Sequence, residues 1–261
     1  ARFSVILFLA GYIDNNYKYM KQFVKGIFYP LLDILPIALM IIVQPDNSTT
    51  LILLIITYAM LFVGGASFIQ LATIGVLSVG TIGIFILNEK NYALGRILSF
   101  IDPASSASVG YQSNQALIGL KQGGLSGMGI GESIQKYSYL PETHTDFIFA
   151  IIGEELGFIA GSLLMLVYYV IFYRAVQISK KSNDIFGIML SIGFGLSITI
   201  YAFINIGVVI GLVPVTGVPL PFISYGGSSL ITNIMMIAIL LNISKAQRKI
   251  NLKRWRLRVN A

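Results

Sequence analysis

Seven stretches of this chain, at roughly 3–13, 28–43, 50–64, 67–87, 146–173, 185–211 and 225–243, hold four carboxylates between them and no basic residue. A helix needs about 20 apolar residues to cross the hydrocarbon core of a bilayer, and several of the seven reach that length. Over all 261 residues, 56% are apolar and only 11% are charged, against about 25% charged in a soluble domain. So few charges cannot cover that much apolar surface. A soluble globule and a solvated unfolded chain are both excluded. Alternation with a period of two is weak throughout, which argues against a β-barrel. The expected fold is all-α: a polytopic membrane bundle, one domain over 1–261, with about seven transmembrane helices. The 26 glycines fit close helix packing in lipid. Gly64-Gly65-Ala66-Ser67 predicts a tight turn. The first stretch is short, as a truncated span would be, and the chain opens in an apolar run without a charged leader. It is expected to start partway through a larger protein.

Charge sorts the connections. Segment 14–27 carries Lys18, Lys21 and Lys25, and segment 174–184 carries Arg174, Lys180 and Lys181. The tail at 244–261 carries Lys245, Arg248, Lys249, Lys253, Arg254, Arg256 and Arg258. If the stretches alternate in direction, these 13 basic residues share one side, and the other side has four, Lys90, Arg96, Lys121 and Lys136. The positive-inside rule puts the 13 in the cytoplasm. Orientation and contact with anionic lipid account for the tail. No readout module accompanies it, so nucleic acid is not an expected partner. The segment at about 88–145 is then extracytoplasmic and far longer than an ordinary connection. Its apolar and Gly-rich runs, among them Gly127-Met128-Gly129-Ile130-Gly131, suit packing on or into the outer leaflet.

The chain has no cysteine and one histidine, which excludes disulfides, thiolate chemistry and a Cys nucleophile, and argues against a His-rich zinc site. Acidic residues are more informative. Glu142, His144 and Asp146 fall within five residues where an apolar helix meets the outer surface. If 142–146 is helical, Glu142 and Asp146 share a face; if it is extended, all three do. Asp146 at that low-dielectric boundary could serve as a base, or Thr143, Thr145 or Asp146 could simply cap the helix. Glu154 and Glu155 lie deeper, inside the span, where adjacent acids point to function or to a structural partner: Arg96, Lys121 or a backbone group. Asp33 raises the same question. Arg96 and Lys121 suit a phosphate-bearing ligand or lipid headgroups. Three prolines, Pro214, Pro219 and Pro221, forbid a continuous helix before Ser224 and Tyr225. Irregular backbone there fits a cavity lining or a rigid turn.

Several motifs together resemble the SEDS family of bacterial shape, elongation, division and sporulation proteins. They are Gln44-Pro45-Asp46, Arg96 with Phe100-x-Asp102-Pro103, Tyr111-Gln112, and the run from Leu140-Pro141-Glu142 through His144-Thr145-Asp146 to Phe149. Gly153-Glu154-Glu155-Leu156-Gly157 and the Pro214–Ser228 run, with Ser224-Tyr225-Gly226-Gly227, complete the set. Gln135-Lys136-x-x-Tyr139 favours the division branch over the elongation branch. Asn47-Ser48 replaces the usual Leu-Gly, and Ser138 stands where the division branch is often acidic.

The resemblance implies ten helices, of which about three would precede Ala1, and polymerisation of lipid II into glycan strands at the bacterial inner membrane during septal synthesis. Elongation and sporulation roles are the alternatives within the family; a lipid II flippase and a noncatalytic divisome scaffold are the alternatives outside it. The family's essential loop Asp falls on Asp146, expected to act as general base with inversion at the anomeric carbon. Substrate-binding residues are expected among Arg96, Lys121, Gln112, Glu142, His144, Ser224 and Tyr225, with Glu154 and Glu155 as supporting acids. Arg96, Lys121 or a divalent cation, magnesium or manganese, would offset the pyrophosphate charge. The implied partners are a class B penicillin-binding protein and other divisome membrane proteins.

Overall fold

The structure, a computed structural model, describes residues 1–44, 46–88, 109–138 and 144–259. All seven apolar stretches are helical. In chain order the helices are α1 (Arg2–Asn16), α2 (Tyr29–Val43, entered through a π-helical turn at Val24–Phe28), α3 (Asn47–Val63) and α4 (Phe68–Asn88). They continue with α5 (Val109–Gly123), α6 (Ile134–Ser138), α7 (Ile148–Lys181), α8 (Ile185–Val209) and α9 (Gly227–Val259). No strand occurs among the described residues. Helices α7 and α9 overrun the expected ends and carry the basic segments outward as further helical turns. Four segments are long and apolar enough to cross a membrane: Val24–Val43, Ile148–Lys181, Ile185–Val209 and Gly227–Ala246. Helices α1 and α3 have 15 and 17 residues, or about 22–26 Å at 1.5 Å per residue, a little short of a 30 Å core.

Helix α8 is the centre, the most buried of the four spans. Small residues let its neighbours close in on it. A Cβ at Gly193 would fall 2.6 Å from the Ile6 side chain of α1 and 2.8 Å from Met60 of α3, and one at Gly195 would fall 2.5 Å from Ala175 of α7. Ile6, Leu9 and Ile13 of α1, Ile52, Ile56 and Met60 of α3, and Phe194 and Ile198 of α8 form the core between them. The outward face of α7 stays apolar, with Leu163 61% and Leu166 53% exposed. Such a surface is stable only against lipid or another apolar partner.

Side chains fix the helix ends. Asp46 accepts from the Thr49 N–H (3.0 Å) at the start of α3, and Asp184 accepts from the Gly187 N–H (2.8 Å) at the start of α8. Arg2 is buried: its guanidinium donates to Asn233 Oδ1 (2.6 Å) of α9 and lies 4.2 Å from the centre of the Tyr201 ring of α8. The expected turn between α3 and α4 is present. Gly64 packs against Ile13, and Gly65 has positive φ. This turn shares its end of the bundle with the lysines of the α1–α2 connection. The segment expected as one long loop is partly helical in its described portion, through α5 and α6.

Candidate active site

At the opposite end, three elements meet: the turn 144–147 before α7, the last turn of α8, and the proline-rich segment before α9. The turn is held by its own carbonyls, three in succession. The His144 carbonyl accepts from the Tyr225 N–H (2.8 Å), the Thr145 carbonyl from the Ser224 hydroxyl, and the Asp146 carbonyl from Asn205 Nδ2 (2.7 Å). The same Asn205 amide donates to the Val218 carbonyl (2.7 Å), and Ser224 Oγ accepts from the Leu220 N–H (2.7 Å). From below, the Tyr168 hydroxyl of α7 donates to the Pro221 carbonyl (2.6 Å). A segment whose prolines forbid helix is thus pinned in one shape by side chains from two spans. Phe147 sits in the N-cap position of α7 without a side-chain cap. The helix therefore starts later than a cap at Thr143, Thr145 or Asp146 would require.

The Asp146 carboxylate is half-buried and lies against Gly217, where a Cβ would be 3.5 Å from Oδ2. Gly217 has φ of 71°, a left-handed conformation that glycine adopts without strain. His144 is exposed, and the Tyr225 side chain is 83% exposed. Lys121 is exposed in the last turn of α5, and Gln112 is half-buried near its first turn. Arg96 and Glu142 lie outside the described residues.

Glu154 and Glu155 stand apart from this turn. Glu154 is fully buried and accepts from the Ser133 hydroxyl, the Ile134 N–H (3.0 Å) and the Gln135 N–H (3.4 Å). Its carboxylate therefore sits at the N-terminus of α6, which Ser133 also caps by accepting from the Lys136 N–H (3.1 Å). Among the candidate partners, the backbone is the one observed. Glu155 is half-buried. Among the described residues, no group of three or more His, Cys, Asp or Glu could hold a metal ion.

Asn205 was not among the residues expected at the site. The signal was present: a lone amide in an apolar run of α8, where a polar group in lipid must find partners. Asn205→Leu keeps the branched side-chain skeleton and strands two carbonyls. At about 1–3 kcal/mol for each buried unsatisfied group, the variant is expected to lose at least ~2 kcal/mol, read as a lower thermal midpoint in detergent. An unchanged midpoint would remove the clamp from this account.

The profile of the cell cycle protein family FtsW/RodA/SpoVE matches residues 1–249. The chain belongs to this family. Within the FtsW/RodA/SpoVE family, it is 40% identical over 250 residues to the stage V sporulation protein E of Bacillus subtilis (strain 168), covering 95% of this chain and 68% of that protein. It is 36% identical over 252 residues to a probable peptidoglycan glycosyltransferase FtsW of Tolumonas auensis, covering 95% and 65%. A solved structure described as a peptidoglycan synthase complex, coordinating polymerization and crosslinking, contains a chain of the same fold. The TM-score is 0.74 at 24% identity, over 95% of this chain and 69% of that one. The chain thus spans about two thirds of the length of these FtsW/RodA/SpoVE relatives, and its all-α membrane architecture is theirs.

Proposed function

We propose that the protein is a peptidoglycan glycosyltransferase that polymerises lipid II on the extracytoplasmic side of the bacterial inner membrane, in septal synthesis. One observation carries the reading: a carboxylate at the rim of a bundle, on a turn fixed by three successive backbone ties, with its Oδ2 beside Gly217. Charge supports that membrane face, since the positive-inside rule favours the cytoplasm for the three basic segments. A probable FtsW glycosyltransferase among the relatives supports the activity, and the synthase complex of the same fold supports a crosslinking partner of the class B penicillin-binding type.

The chemistry asks little of an acid. Polyprenyl pyrophosphate already leaves as a stable anion. What must be supplied is a base for the acceptor sugar hydroxyl as it attacks the anomeric carbon. Asp146 takes that proton, the new glycosidic bond forms with inversion, and the pyrophosphate departs with the electrons of the broken bond. The sugars react at the rim while both polyprenyl tails stay in lipid. Charge on the leaving group would be offset by cationic side chains, with Lys121 the described candidate, or by a divalent cation. Lys121→Ala is expected to lower turnover about 10-fold or more in a reconstituted lipid II assay. Unchanged kinetics would leave Lys121 a headgroup contact. Protein that moves lipid II across vesicles but makes no glycan would favour a flippase instead.

A further inference from the structure

Helix α7 is not continuous. Gly157 has φ of 76° and ψ of −177°, and two helical hydrogen bonds are missing around it. In an unbroken helix the Phe158 N–H would donate to the Glu154 carbonyl and the Ile159 N–H to the Glu155 carbonyl. Instead, Phe158 donates to the Gly124 carbonyl (2.9 Å) and Ile159 to the Leu125 carbonyl (3.3 Å). The vacated Glu154 and Glu155 carbonyls accept from Met128 (2.9 Å) and Gly129 (3.0 Å). Segment 124–129 is therefore spliced into the helix, and it replaces both partners of both broken bonds. Four peptide groups that would otherwise face an apolar medium unpaired are satisfied.

The fit has no slack. A Cβ at Gly127 would lie 2.1 Å from the Glu155 carbonyl oxygen, and one at Gly123 would lie 2.0 Å from that of Gly153. The far end of the loop is fastened by the Glu154 carboxylate on Ser133 and the start of α6. The half-helix Ile148–Leu156, with Asp146 at its head, is thus joined to the rest of α7 only through a residue with two unhelical torsions. Its direction is set by the loop packed into the break.

We propose that Glu154 and Gly127 are positioning residues for the Asp146 carboxylate, because they lock segment 123–133 into the break in α7 and so aim the half-helix that carries it. The proposal rests on the assignment of Asp146 as the base. It is tested in the whole protein, with a transpeptidase partner, using Glu154→Gln and Gly127→Ala. Per folded molecule, kcat is expected to fall at least 10-fold while KM for lipid II stays within twofold. On an Asp146→Asn background neither change should lower the residual rate further. Spin labels at Leu156→Cys and Phe203→Cys should give a narrow distance distribution in the parent and a broadened or shifted one with Glu154→Gln. That measurement holds whether or not the glycosyltransferase reading does.

Unchanged kcat in Glu154→Gln together with an unchanged distance distribution would overturn the inference. So would a rise in KM at constant kcat, or an equal loss on the Asp146→Asn background. If Gly127→Ala fails to fold, Glu154→Gln decides. A parent protein without glycan synthesis, or a fully active Asp146→Asn, instead refutes the reading on which the proposal stands.

Discussion

Asp146→Asn is expected to reduce glycan polymerisation from lipid II by at least 10²-fold, with folding intact. The size follows from the 10²- to 10⁴-fold that a positioned general base contributes. The amide keeps the shape of the carboxylate and cannot take the acceptor's proton. Folding should survive because the ties that hold the turn use the carbonyls of His144, Thr145 and Asp146, and the substitution touches none of them. Near-normal polymer yield from monodisperse Asp146→Asn protein would end the general-base assignment.

Gly157→Ala should be among the most destabilising single changes in the chain. With φ of 76° and ψ of −177°, the residue occupies a region that is essentially glycine's alone, and a side chain there costs about 1–3 kcal/mol in backbone strain. The added Cβ would also lie 2.4 Å from the Gly127 nitrogen and 2.5 Å from the Leu125 carbonyl oxygen. Both are backbone atoms that cannot swing aside. If α7 straightened to relieve the clash, it would expel segment 124–129 and leave that segment's own peptide groups unpaired, at about 1–3 kcal/mol each. The expected loss is at least ~3 kcal/mol, seen as a large drop in the thermal midpoint in detergent or as failure to recover monodisperse protein. A midpoint within a degree or two of the parent would mean that the break is not required.

The spans were legible because their signal is long: apolar runs place the starts of the seven helices within a few residues, while the polar, basic continuations of α7 and α9 past 173 and 243 carry no apolar signal and were missed. The position of Asp146 at the start of α7 was legible, because a carboxylate at the mouth of such a run stands out; its role as base remains the proposal. The splice was not legible. Gly127 and Gly157 each stood out in Gly-rich runs, but glycine is common in membrane helices, and no local pattern says that two distant runs interlock backbone to backbone. Helices α5 and α6 were hidden for a related reason, since short segments over a mixed sequence carry weak periodicity. Glu154 shows the limit for charge. Its burial could be read from sequence, but its satisfaction by Ser133 and two peptide N–H groups depends on where a loop returns in space.

The splice in α7 also bears on biogenesis. Residues 124–129 leave the ribosome before 154–159, so the donor strip exists by the time its receiver emerges. An unbroken α7 would pair the Phe158 and Ile159 amides within itself, so the splice exchanges two helical bonds for four bonds with segment 124–129. The break in α7 is therefore a feature of the assembled bundle: the span is long and apolar enough to cross by itself, and its bent shape comes only with the partner strip that arrives ahead of it in the chain.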